Sequence, residues 1–313
     1  MLTIHSETDI RICQEIWDRL VKPQQLTDLW EVRVCFHENF TRDLFFVVAK
    51  ENDQIVGFIP LCYIPECDYY GFFPGEIWQE KTWLEQNRLI ARDQTVLRQM
   101  FEWLKENHIR YYLRYLCEHP AFLEDLAHED EIGYLFLPKF YDYSIEQYHS
   151  VFSRKSIKNI LREVGKMHER NLIIRENCSD DFEQMVSLNI DRFGTQSYFA
   201  NNQFVNSFRA MKDLLDRKGW LRMTALLIDS RIAAVDMGCV YNGQYTLLAG
   251  GTHEDFPGIA KAINLHHMQE ACKNKYESVD FLCGDFSWKK IFHLTPRPLY
   301  KATNIKLSGV EHV

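Results

Sequence analysis

Short apolar runs bounded by turn residues alternate along this chain with longer stretches in which apolar positions recur every three or four residues. The first pattern predicts strands and the second helices. In the first half the spacing predicts a helix over residues 11–20, ahead of Pro23. Apolar strands follow over 44–49 (LFFVVA) and 54–63 (QIVGFIPLCY), joined by the polar turn Glu51-Asn52-Asp53, a hairpin signal. An aromatic loop over 68–75 reads as packing. A helix over 94–107 and a Tyr/Leu-rich strand over 109–116 complete this half.

The second half opens on an amphipathic helix over 153–170. Ile157, Ile160, Leu161, Val164 and Met167 share one face, and Arg154, Lys155, Lys158, Arg162, Lys166 and Arg170 line the other. A strand over 172–175 and a helix over 180–193, capped by Ser179, come next. Strands over 221–228 and 231–241 form a hairpin around Asp229-Ser230. The tight-turn pair Asn242-Gly243 leads into a strand over 244–248. Beyond it, Gly250-Gly251 closes the strand, Phe256-Pro257-Gly258 opens a helix, and a second apolar strand ends on Gly284-Asp285. A short helix over 287–292 and final strands complete the chain. The fold class that follows is α/β (α+β), with mixed, mostly antiparallel sheets flanked by helices. The repeated hairpin-then-helix order predicts tandem related domains, 1–145 and 146–313.

Composition narrows the function classes. The chain has 313 residues, long enough for two domains of about 150 residues, and a net charge of −8. That acidity disfavours general nucleic-acid binding. The 9 cysteines include no CxxC pair, which suits a reducing, cytoplasmic compartment. The opening MLTIHSETDI is polar and acidic and reads as no secretory signal. No apolar run approaches the roughly 18 residues of a membrane span. His266 and His267 are adjacent on a helix and point apart, and no HExxH or Cys/His cluster accompanies them, so no metal is expected.

The candidate chemistry lies in 243–285. A strand feeding a glycine loop at a helix start presents orphan N–H groups to a phosphate, here around Gly258, Ile259, Ala260 and Lys261. The plain alternatives are a helix start after a Pro-Gly turn and a surface lysine. Gly250 and Gly251 mark either a turn or a close backbone approach to a ligand. Asp236 stands inside the apolar run IAAVDMGCV, where a carboxylate is costly unless paired or functional. Asp285 is either a second acid or the cap of the short helix after it, and Lys289 is its partner or a ligand for an anion.

The hairpin DSRIAAVDMGCVYNGQYTLLAGGT, the Pro257-Gly258 loop and FLCGDFSWKKIF together resemble the GNAT acyltransferase superfamily. The nearest pattern is its FemABX-like double-domain branch, which includes acetyltransferases of the cellulose-biosynthesis type. The resemblance covers about residues 150–300, and the first half by order of elements alone. It implies an N-acyltransferase that moves an acetyl or acyl group from acyl-CoA, held between two splayed strands, to an amine in a small molecule or cell-envelope precursor. For such a reaction, residues 258–261 would bind phosphate, Ala249, Gly250 and Gly251 would polarise the carbonyl, and Asp236 would be the base, or Asp285, which matches the branch's Gly-Asp, beside Lys289. Arg192 and Tyr198 would contact the acceptor. Trp288 stands where the branch usually has a tyrosine. An indole is no general acid, so the thiolate's proton would come from water or a phenol such as Tyr300. The alternatives are a Fem-like transferase using aminoacyl-tRNA, the one case with a nucleic-acid partner, and a non-catalytic binding domain.

Overall fold

The computed structural model describes residues 1–284 and 286–305. The chain divides into two compact units, residues 1–132 with the segment from 298 onward, and residues 133–297.

The first unit runs β1 (Leu2–Glu7), α1 (Ile10–Leu20), α2 (Trp30–Phe40), β2 (Leu44–Glu51), β3 (Gln54–Ile64) and β4 (Tyr69–Phe72). Three two-residue strands follow, β5 (Ile77–Trp78), β6 (Lys81–Thr82) and β7 (Ile90–Ala91), then α3 (Gln94–Glu106) and β8 (Tyr112–Leu116). Strands β1 to β4 form an antiparallel sheet in chain order. Tyr70, in β4, and Tyr111, just before β8, meet in a parallel bridge. The stretch over 68–75, expected as a loop, contains strand β4, while Tyr69, Phe72 and Phe73 pack inward as expected, with Phe73 stacked on Trp30 at 4.8 Å. Strand β9 (Ala127–Phe136) carries the chain into the second unit, and β15 (Thr295–Thr303) returns it to pair with β8.

The second unit runs α4 (Ile145–Ser150), α5 (Arg154–His168), β10 (Ile173–Glu176), α6 (Asp181–Phe193), α7 (Asn202–Arg217), β11 (Leu221–Ile228), β12 (Arg231–Tyr241) and β13 (Gln244–Thr252). Helix α8 (Ile259–Lys273), β14 (Ser278–Asp280) and α9 (Ser287–Ile291) follow. Strands β10 to β13 are antiparallel neighbours in chain order, β14 joins β13 in parallel, and β9 pairs antiparallel with β14. The sheet has helices on both faces. Side chains of α8 meet Asp236 and Tyr245 on one face. A Cβ placed on Gly251 would meet Leu188 and Met185 of α6 on the other.

Some local expectations change. Helix α6 starts after Asp180, with no side-chain cap, rather than on Ser179. Asn201 caps α7 by accepting from Gln203 and Phe204 N–H, so the stretch after Tyr198 is a full helix. The element order β-α-α-β-β-β-α-β occurs once in each unit, as β1 to β8 and as β10 to β14, if the two-residue strands are set aside.

Candidate active site

The parallel pair β13 and β14 is paired only briefly. Residues 244–246 face residues 278–280, and β13 then continues to Thr252 with no strand partner on that side among the described residues. The cause lies in β14, whose chain follows β9 instead. Phe281 N–H donates to the Tyr134 carbonyl at 2.9 Å, and Tyr134 N–H to the Leu282 carbonyl at 3.2 Å. Lys289 secures this departure. Its buried ammonium donates to the carbonyls of Phe281, Leu282 and Cys283 at 3.0, 2.8 and 2.8 Å. An ammonium carries three donors, and here three carbonyls meet it. On β13 the register against β12 slips between Met237 and Gly238, leaving Leu248 as the extra residue of a β-bulge where the slot opens.

Asp236 lies over the open edge of this slot. It pairs with Gly250 across the sheet, and a Cβ on Gly250 would fall 2.0 Å from Asp236 Oδ1. The carboxylate therefore occupies the place a side chain at 250 would take. Its other oxygen, Oδ2, lies 2.9 Å from His267 Nε2 on α8, and His267 Nδ1 lies 3.0 Å from the Tyr245 hydroxyl. His267 is 1% exposed and the Asp236 side chain 14%. Burial holds the Tyr245 hydroxyl well above the usual phenol range. His266, the next residue, is held below the usual imidazole range, first by burial and then by His267. Sequence reasoning passed over His267 and Tyr245. The signal for His267 is its place on the apolar row Ile259, Ile263, His267, Ala271, spaced by four and directed at the sheet.

The remaining predicted residues fall in several places. Gly258 caps α8 with φ +87°, a conformation glycine adopts without cost. In the first turn, Ile259 N–H donates to the Phe256 carbonyl and Lys261 N–H to the Gly258 carbonyl. Ala260 follows directly in the same turn. The Lys261 ammonium pairs with Glu163 of α5, and Asp255 in the loop pairs with Arg231 at 2.8 Å. Gly251 serves packing, since a Cβ there would meet the Met185 carbonyl and Leu188 Cβ at 2.7 Å each. The Gly250 carbonyl accepts from Asn189 at 2.6 Å. Arg192 is exposed on the last turn of α6, and Tyr198 packs edge-on against Phe204. Trp288 packs on Phe281 and Phe292, while Tyr300 lies on β15 in the first unit. Asp285 lies outside the described residues. Among those residues, no three His, Cys, Asp or Glu side chains group as a metal site.

In the first unit the corresponding place is filled. Beyond the bridge between Tyr70 and Tyr111, Asn87 forms a parallel bridge with Leu116 at the end of β8. Asn87 N–H donates to the Tyr115 carbonyl at 2.7 Å, its carbonyl accepts from Cys117 at 2.9 Å, and its amide donates to the Arg114 carbonyl at 3.0 Å. The buried Arg33 guanidinium ties the segment to the end of β4, donating to Asn87 Oδ1 at 2.7 Å and to the Phe73 carbonyl. Burial lowers that guanidinium to about 10. The cavity left there is about 20 Å³, close to a single water.

The acetyltransferase (GNAT) domain family matches residues 152–290. Among solved structures, FemX shares the fold over 96% of this chain and 97% of its own, at TM-score 0.58 and 8% identity. L-PGS from Bacillus licheniformis does so over 96% and 94%, at 0.57 and 10%. A tandem GNAT protein from the clavulanic acid biosynthesis pathway covers 98% and 100%, at 0.52 and 11%. Curated protein sequences give no match. At these identities the likeness to solved structures is one of fold.

Proposed function

Since residues 152–290 form a GNAT domain within a chain of the double-domain GNAT fold, we propose that this protein is an N-acyltransferase that moves an acetyl or other acyl group from acyl-CoA to an amine. The observation that carries this reading is Asp236, a nearly buried carboxylate laid over a glycine at the open edge of β13 and fixed by His267.

The residues present fit such a donor. The free edge of β13 offers backbone groups to the amides of a pantetheine arm, and the start of α8 at Gly258 offers its dipole to phosphates. The carboxylate of Asp255 is offset by Arg231, so the acidic loop does not repel an anion with its full charge. In this reading Asp236 accepts the amine's proton, backbone N–H groups at the bulge of β13 polarise the acyl carbonyl, and Lys289 keeps the slot open by holding β14 aside. Asp285 is the second candidate base. Arg192 and Tyr198 would contact the acceptor, a small molecule or cell-envelope precursor, in the cytoplasm. Among the described residues, no helix is long and apolar enough to cross a membrane.

Calorimetry with acetyl-CoA tests the donor, and no heat at millimolar concentration would sink the proposal. One observation favours a second donor. Arg154, Lys155, Lys158, Arg162, Lys166 and Arg170 are all exposed along α5 and just past its end. Salt-sensitive tRNA binding, lost when these residues are neutralised, would favour an aminoacyl-tRNA donor.

A further inference from the structure

Gly250 lies on the stretch of β13 beyond its pairing with β14. The register against β12 decides which way its backbone points. His253 N–H donates to the Ala233 carbonyl at 2.9 Å, so residues 233 and 253 form a hydrogen-bonded pair. Such pairs alternate along an antiparallel ladder. Val235 with Gly251 is then the next hydrogen-bonded pair, and Asp236 with Gly250 a pair without ladder bonds. Both backbone groups of Gly250 therefore turn away from β12 and face the slot. Glycine holds its own backbone angles least well, and the strand that would hold them here follows β9 instead. One side chain takes that strand's place. Asn189 of α6 reaches the slot edge and donates from Nδ2 to the Gly250 carbonyl at 2.6 Å. Its Oδ1 accepts from the Ser197 hydroxyl at 2.7 Å, and Ser197 Oγ accepts from the Phe199 N–H at 3.1 Å. A carbonyl can only accept and a backbone N–H only donate, so this orientation of amide and hydroxyl is the one that satisfies both ends. Ser197 is buried and caps the turn that carries Tyr198.

We propose that Asn189 is a positioning residue for acyl transfer: it holds the slot edge at Gly250 so that the Gly250 N–H stays aimed at the donor's acyl carbonyl, and it ties that edge to the turn at Tyr198–Ala200 on the acceptor side. The proposal rests on the acyl-transfer reading of the slot. An N–H fixed at this point meets the negative charge that gathers on a thioester oxygen as an amine adds to it. With Asn189 on its carbonyl, Gly250 offers the slot chiefly a donor, which suits a carbonyl oxygen. The Asp236 carboxylate lies above the same glycine, so the base and the N–H converge on one residue of β13. The bonds from Gly250 through Asn189 and Ser197 to Phe199 then join the donor's slot to the turn of Tyr198, the proposed acceptor contact.

Two measurements test this role. The first needs no ligand. Asn189→Leu keeps the branched shape and removes the donor. The Gly251 N–H, paired with Val235, should then exchange with deuterium about 10-fold faster, while amides of β11 keep their rates. An unchanged Gly251 rate would overturn the proposal. The second joins kinetics to calorimetry. In Asn189→Leu, kcat with acetyl-CoA should fall about 10- to 100-fold, while affinity for free CoA, which has no acyl carbonyl, stays within about twofold. Ser197→Ala cuts the tie to the turn and spares the bond to Gly250, so it should raise the KM for the amine more than it lowers kcat. Thermal unfolding checks each variant, and Asn189→Ala replaces the leucine variant if that one does not fold. Wild-type kcat, or a loss of CoA affinity as large as the loss in kcat, would overturn the positioning role while leaving the acyl-transfer reading intact. A wild-type amine KM in Ser197→Ala would overturn the tie to the acceptor side. If the wild-type protein neither binds nor turns over acetyl-CoA, the slot reading falls and the role of Asn189 falls with it.

Discussion

Gly250 and Gly251 are neighbours in sequence and opposites in consequence. A methyl on Gly250 would collide with a carboxylate oxygen, and a methyl on Gly251 with a helix backbone. Gly250→Ala should therefore remove most activity by displacing Asp236, at a stability cost of about 1–3 kcal/mol. Gly251→Ala should cost more stability, because the Met185 carbonyl of α6 cannot swing aside as a side chain can. Urea unfolding beside an acyl-transfer assay separates the two, and equal effects on both readouts would contradict the assignment. Lys289 belongs to the same scale. Lys289→Met strips the ammonium from three carbonyls, and a loss of about 3 kcal/mol is expected by denaturation. A loss below about 0.5 kcal/mol would show that the ammonium does not hold β14.

At the scale of elements, the start of α8 carries a testable charge balance. Lys261 is tied to Glu163 on α5, and both side chains are about 40% exposed. Glu163→Gln would release the ammonium beside Gly258, and affinity for the anionic acetyl-CoA should rise about two- to threefold at low salt and fade at high salt. No change at low salt would place the phosphates elsewhere. The elements themselves were unevenly legible. The hairpins of β2 with β3 and β11 with β12 are written in apolar runs and polar turns, and the structure has them. Asp236 was legible for the same reason, as a carboxylate inside the apolar run IAAVDMGCV. Helix α2 hides because Val32, Arg33, Cys35, Phe36 and Phe40 bury most of its circumference, leaving only the narrow exposed line of Glu31 and Glu38. The spacing of Phe204, Phe208, Met211 and Leu215 does carry α7 in the sequence. The inward face of His267 was legible from its apolar row, but its bonds were not, since its partners are 31 and 22 positions away and only the folded sheet joins them. Residues 84–87 carried no expectation, because nothing in Leu-Glu-Gln-Asn announces that Asn87 will pair beside β8.

For the whole molecule, three partly buried histidines shape the response to acid. Burial lowers His37, His149 and His266 below the ordinary imidazole value of 6.5. The unfolded chain then binds protons that the native state refuses. Their contribution is full above about pH 6.5 and is lost as pH falls through the lowered native values, at up to about 1.4 kcal/mol per pH unit for each group. Burial acts oppositely on Glu76, whose carboxyl is raised above 4.5, so its contribution is present below that value and lost as pH rises through the raised one. Unfolding free energy should fall between about pH 6.5 and 5, and a flat urea midpoint over that window would contradict this. The two units also predict stoichiometry. Both repeat one element order, yet among the described residues the slot beside β13 is open whereas its counterpart beside β8 holds Asn87, so calorimetry should find one acetyl-CoA per chain. Two equivalent sites would refute that assignment.

The segment at Asn87 can be viewed as a ligand the chain has made for itself. Because it is covalently attached, its effective concentration beside β8 is of millimolar order or higher, and a free pantetheine arm would have to outcompete it without that advantage. Arg33 then acts as the clasp that holds Asn87 to the Phe73 carbonyl. The backbone of residues 84–87 is a natural template for a peptide that closes an open slot of this kind, including the one on β13.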